Sequence, residues 1–320
     1  MNLALYGKHR GMIFNFSYRQ EIYDEKTEHG RRYLKWTNKD KTWSYPECTV
    51  TVLSIKNKAH IVLRRARQGK SRFKNSQYIL KLMMGFSVAT VKKTHHDSVY
   101  ELIFTIPKTN DINLRNLRDV KMWSDDKDAI DTLFDNIQDK MQNHIETGNT
   151  IAPNYDENNK VIPIIYQPRI DAWENFLREI NIHKEGNSFK VTLAFQGEKL
   201  RKFFLVDPIY KLYRFFRFKR TVDIETFEIR EDQFYFENIY SDTDTLFDDH
   251  THNKKDISIK YYFSNLNHPV IFVNTANHAL APHDNNHDFW KWEYIPWEEN
   301  TPLELGEKTR NETEKQYKRF

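Results

Sequence analysis

HALAPHDNNHDFWKW, residues 278–292, gathers His278, His283, His287, Asp284 and Asp288 into one short stretch directly after the apolar run PVIFVN. Imidazole titrates near neutrality, so His278, His283 or His287 with Asp284 could serve as general base or water activator. His283, His287 and Asp288 could also hold a divalent ion, Mg²⁺, Mn²⁺ or Zn²⁺, with His268 as a more distant ligand. On a helix, His283 and His287 would share a face at i and i+4, the spacing by which two imidazoles grip one zinc. The segment reads HDNNH, however, without the glutamate that such a helix carries as its base. Trp290, Trp292 and Tyr294 then alternate as in a strand, which predicts a loop across the cluster. The plain alternative is a structural loop: Asp and Asn side chains bond their own backbone, and the tryptophans fill a core.

Three other stretches carry less. TVDIETFEI places Asp223 and Glu225 on a strand and in that respect resembles the first motif of exonucleases that bind two metal ions through Asp-x-Glu. That chemistry needs further carboxylates from later elements, and little chain remains to carry them. The expectation is therefore two solvent-facing carboxylates. RQGKSRF has one glycine and lacks the spacing of a P-loop. His95 and His96 are neighbours on a predicted strand and point to opposite faces, so they cannot easily share a metal.

Charge narrows the partner. Residues 1–100 carry 20 Lys or Arg against 7 Asp or Glu, leaving 29 and 38 for the other 220. Between Glu47 and Asp97 eleven cations stand without one carboxylate. Positive charge so concentrated suits a polyanion, because each neutralised phosphate releases a condensed counterion. The expected contacts are Arg64, Arg65, Arg67, Lys70, Arg72 and Lys74, in a turn around Gly69, since guanidinium forks match phosphate oxygens in pairs. The competing reading is a hairpin tip balanced by the acidic remainder. A second basic segment, KLRKFFLVDPIYKLYRFFRFKR (199–220), interleaves eight cations with aromatic rings. Such a pattern can stack unpaired bases; the plainer expectation is a helix with its rings packed inward and its cations outward.

These residues must be positioned by a core rich in Phe, Tyr and Trp, 14% of the chain. CTVTVLSI, AHIVL, FSVATV and SVYELIFTI read as antiparallel strands, followed by a helix over 124–146 with Ile130, Leu133, Phe134, Ile137 and Met141 on one face. The Gly-, Asn- and Pro-containing stretch 147–169 marks a boundary. A second helix over 169–182 has Asp171 as N-cap and Trp173, Phe176, Leu177 and Ile180 inward. Strands follow at NSFKVTLAF, TVDIETFEI, DQFYFENIY, DISIKYYF and PVIFVN, with an exposed acidic link at 242–256. The tail after Pro302 is too polar to enter a core.

The expected class is α+β: mostly antiparallel sheets with a few amphipathic helices, in two domains, 1–150 (basic, β-rich) and 151–320 (mixed, carrying the histidine loop). One cysteine, Cys48, excludes an internal disulfide and a thiolate zinc cage. With no apolar leader or membrane-length run, the expectation is a soluble cytoplasmic chain with no membrane partner, able to form a homo-oligomer. The functional expectation is nucleic-acid binding, DNA or RNA, with metal-dependent phosphodiester hydrolysis by the loop. The alternative is a non-enzymatic nucleic-acid-binding or protein-assembly module with an inert loop.

Overall fold

The computed structural model describes residues 13–22, 41–55, 58–70, 77–106, 115–142, 161–199, 207–246, 248, 256–263, 268–286, 289–296 and 303–318. It is a mixed α/β architecture of mostly antiparallel sheets with four helices among the described residues. These residues divide into two compact units.

The first unit contains β1 (Ile13–Ile22), β2 (Lys41–Ile55), β3 (Lys58–Lys70), β4 (Gln77–Ser87), β5 (Thr90–His96), β6 (Val99–Thr105), β7 (Arg115–Ser124) and α1 (Lys127–Gln142), except that 66–70 and 77–82, in β3 and β4, group with the second unit. Its strands lie in the order β4-β3-β2-β1-β7-β6-β5, which leaves β5 at the sheet end with Lys92, His95 and His96 exposed. Apolar residues alternate onto the buried face at Leu102 and Phe104 of β6 and at Val120 and Met122 of β7, the period-two rule of a half-buried strand. Helix α1 covers that face with Ile130, Leu133 and Ile137, close to the expected span. Within FSVATV the chain breaks at 88–89, and two strands form where one run was read.

The second unit holds β8 (Ile164–Pro168), α2 (Arg169–Asn175), β9 (Leu177–Glu185), β10 (Ser188–Phe195), α3 (Asp207–Phe218), β11 (Asp223–Arg230), β12 (Gln233–Glu237), β13 (Asp256–Lys260), β14 (Tyr262–Phe263), β15 (Pro269–Val273), β16 (Leu280–Ala281), β17 (Lys291–Tyr294), β18 (Glu304–Gly306) and α4 (Arg310–Tyr317). One sheet runs β13-β12-β11-β10-β9-β18; the strands β14-β15-β8-β17 form another set, with β16 on β15. β8 is buried along its whole length, as is β15, its parallel neighbour. A strand enclosed on both faces reads as a continuous apolar run, which explains VIPIIY and PVIFV.

Three expectations are corrected here. The helix expected over 169–182 stops at Asn175, because Leu177, Glu179, Asn181 and the β-branched Ile180 and Ile182 belong to β9. Trp173 is consequently exposed and Asp171 buried, with Pro168 rather than Asp171 at the N-cap. The boundary segment ends in the buried strand β8, while residues 143–160 lie outside the described residues. The tail is ordered: Thr309 and Glu312 form a capping box, Thr313 is fully buried, and Tyr317 packs against Ala194, Val222 and Ile224. Its polar groups enter because polar partners await them. Asn181 donates to Thr313 at 3.1 Å, and Lys308 and Tyr317 donate to Glu179 at 2.6 and 2.8 Å.

Candidate functional site

His278 sits at a tight turn after β15 with φ 59°, a left-handed backbone that non-glycine residues rarely take without compensation. The side chain supplies it. Nδ1 lies 2.8 Å from Asp223 Oδ2, Nε2 lies 3.2 Å from Asp171 Oδ2, and the ring stacks on Phe195 with centroids 3.8 Å apart. All of this is buried.

Asp223 and Glu225 face inward, contrary to the solvent-facing expectation. On β11 they share a face with Phe227 and Ile229, and register sets Phe195 opposite Asp223. Period two therefore carries two carboxylates into an aromatic layer, where each needs a partner. Asp223 also accepts from Arg214 Nη2 at 2.8 Å, and Arg214 pairs with Glu198, which accepts in turn from the Tyr210 hydroxyl. At the other end Asp171 accepts from Gln167 at 2.7 Å and Asn175 at 2.9 Å, and Gln167 accepts from Tyr294 at 2.9 Å. The result is one buried chain of polar groups, Glu198–Arg214–Asp223–His278–Asp171, drawn from α3, β11 and α2, the segment after β10 and the turn after β15.

Its electrostatics are ordered. Burial presses the His278 pKa down, but hydrogen bonds to Asp171 and Asp223 and their charge outweigh it and raise the value to about 10. Burial would raise Asp223, yet His278 and Arg214 hold it well below the carboxylate range. Glu198 is pushed up to about 7 by burial and by Asp223, against the pull of Arg214. Glu225 rises well above its ordinary value, through burial first and the Asp223 charge second. His278 is thus an imidazolium donating from both nitrogens. It offers no lone pair to a metal or to a proton, which suits anchoring better than general-base work.

The neighbouring loop is pinned through different atoms. Asp284 accepts from Lys291 Nζ at 2.6 Å and from the Asn286 amide at 2.8 Å, so both of its oxygens are engaged. Lys291 also donates to the Asn286 and Phe289 carbonyls, and Asn274, Asn285 and Asn286 clamp the turn through their side-chain amides. His283 lies with Nε2 2.8 Å from the Asp242 carbonyl; burial lowers its pKa, and its buried Nδ1 has no hydrogen-bond partner among the described residues. His287 and Asp288 lie outside the described residues. His268 is spent on the Ile162 carbonyl at 2.8 Å. Among the described residues no group of three His, Cys, Asp or Glu stands arranged to hold a metal. The structure therefore sends His278, Asp284 and His283 to three separate sets of partners.

Of the expected phosphate contacts, Arg64 and Arg65 lie within β3, which runs to Lys70, so the turn cannot begin before Ser71. Both are half-buried, and the Arg65 guanidinium lies over the Tyr45 ring at 4.9 Å. The side chains of Arg67 and Lys70, and all of Arg72 and Lys74, lie outside the described residues. Cys48, buried beside this cluster, has its thiol pushed up to about 11 by burial and is no nucleophile at neutral pH.

Sequence reading missed Asp171, Glu198 and Arg214. The available signal was Arg214 at i+4 from Tyr210, in a chain with buried-strand carboxylates in need of a cation. Comparison with known proteins finds no matching family model, no similar curated protein and no similar solved structure.

Proposed function

We propose that the protein binds nucleic acid through its cation-rich amino-terminal part, with the histidine loop serving structure. The observation that supports this reading is the acid-free run between Glu47 and Asp97, which supplies β3, β4, β5 and most of β2. Five of its cations, Lys58, Arg64, Arg65, Arg67 and Lys70, fall on β3, Lys81 falls on β4, and Lys92 and Lys93 fall on β5. Within it the Arg65 guanidinium rests on the Tyr45 ring. Lys93 is paired with Asp131 of α1 at 2.6 Å.

A second reading, metal-dependent phosphodiester hydrolysis, is favoured by one atom: the buried, unpartnered Nδ1 of His283. That nitrogen could ligate Mg²⁺, Mn²⁺ or Zn²⁺ together with His287 and Asp288.

Anisotropy of labelled single-stranded and duplex oligonucleotides tests the first reading. With four to six phosphates neutralised, affinity should fall about 100- to 1,000-fold between roughly 50 and 200 mM salt. It should also weaken at every sequence when Arg67, Lys70, Arg72 and Lys74 become alanine. Salt-insensitive binding, or none, removes this reading. Incubation of the same substrates with each divalent ion, with and without His283→Ala, separates binding from cleavage.

A further inference from the structure

Helix α3 presents the wrong face to solvent. Arg214 and Tyr210, one turn apart, point inward to Glu198 and Asp223. Ile209, Leu212, Tyr213 and Phe216 point outward and are 64%, 54%, 56% and 63% exposed. At about 100° per residue these four occupy one arc of roughly 100°. Exposed Arg217 borders that arc, exposed Lys211 lies roughly 100° beyond its other edge, and exposed Lys219 follows the last turn. The helix cannot roll its apolar side inward without pulling Arg214 away from two buried carboxylates.

We infer that α3 is a docking element that lies in the surface of an anionic lipid bilayer. Among the described residues no helix is long and apolar enough to cross a membrane, and α3, at 12 residues, is too short to span one. It has instead the layout of an interfacial helix: a central apolar stripe that enters the headgroup–acyl boundary, flanked by cations that meet lipid phosphate and carboxylate groups. Charge argues against a second copy of the chain, since stacking two such stripes would bring Lys211 and Arg217 toward cations of the other molecule. Unpaired bases would stack on Tyr213 and Phe216 but find no ring on Ile209 or Leu212, which make up half the stripe. In the segment 199–220, Arg214 and Arg220 are buried and Lys199 pairs with Glu174, which leaves Lys211, Arg217 and Lys219 as the exposed cations among its described residues. This inference stands apart from nucleic-acid binding by the amino-terminal part, and it concerns the membrane surface, not a span.

The test is flotation of the full chain with vesicles of phosphatidylcholine alone and with added phosphatidylserine. A Leu212→Cys protein labelled with an environment-sensitive dye reports contact at α3 itself, because Cys48 is buried and stays unmodified. The expected result is a blue shift and binding at least about tenfold tighter to the anionic vesicles. Ile209→Ser with Phe216→Ser should lower that binding at least about tenfold, and Lys211→Glu with Arg217→Glu should reduce it to the level of neutral vesicles. Phe216 meets Phe215 edge-on and Arg217 lies over Phe218, contacts between neighbours at the helix surface, so melting should change little in every variant. The inference is overturned if vesicles bind without a shift at position 212, or if the stripe variant binds as tightly as the parent. It is equally overturned if the dye responds to an oligonucleotide and not to vesicles, or if the stripe variant changes only the oligomeric mass.

Discussion

His278 is the residue on which the second unit turns. Both of its neighbours, Asp171 and Asp223, are buried carboxylates, and removing the cation between them leaves uncompensated charge in a dry interior. His278→Gln should therefore destabilise the protein by roughly 3–5 kcal/mol in urea unfolding at neutral pH. The pH dependence follows from the sign of the shift. His278 has a folded pKa raised from 6.5 to about 10, so its contribution is fully present below the unfolded value and is lost as pH rises through the window from 6.5 to about 10. The parent should lose stability across that window relative to His278→Gln, and parallel curves would show that the imidazole is neutral in the fold. The density of histidines and aspartates at 278–288 was legible in the sequence; the partners were not. Asp171 lies 107 residues from His278 and Asp223 lies 55, and no local spacing announces contacts of that range.

At the scale of elements, strand periodicity and the inward face of α1 were readable, and the orientation of α3 was not. Burying Arg214 and exposing four apolar side chains reverses the usual inward-apolar rule for α3. Leaving Ile209, Leu212, Tyr213 and Phe216 in water forfeits about 1.5–3 kcal/mol each at most, a sum of the same order as the several kcal/mol that each of two buried carboxylates costs without its cation. Helix α4 escaped notice because its apolar content is slight and its hold is polar. Gly306 shows how closely that end is fitted: a Cβ there would overlap Asn181 Oδ1, the atom that accepts from the Lys308 amide at 3.1 Å. Gly306→Ala should push β18 off β9. The expected cost is about 1–3 kcal/mol, with hydrogen exchange accelerated over 304–317 and unchanged in β10 and β11. Uniform acceleration would mean that α4 unfolds only with the whole unit.

For the molecule as a whole, the sequence disclosed the segregation of charge and the prevalence of antiparallel strands, but not how far chain order departs from compact units. Residues 66–70 and 77–82 group with the carboxyl-terminal unit, so a cut at 150 does not separate the two, and no shift in composition marks that excursion. The amino-terminal sheet ends on β5, whose outer edge has no neighbouring strand among the described residues. An unpaired row of amides and carbonyls invites another chain to add itself. Lys92 and Lys93 stand on that border, and two copies meeting edge to edge would bring like charges together. Their replacement by Thr and Val should turn the border into a growth point, seen as thioflavin-positive aggregates at concentrations where the parent stays dispersed. Lys92, a cation of the first hundred residues, and Lys93, held by Asp131, would then also be gatekeepers, guarding the chain against fibrils of itself.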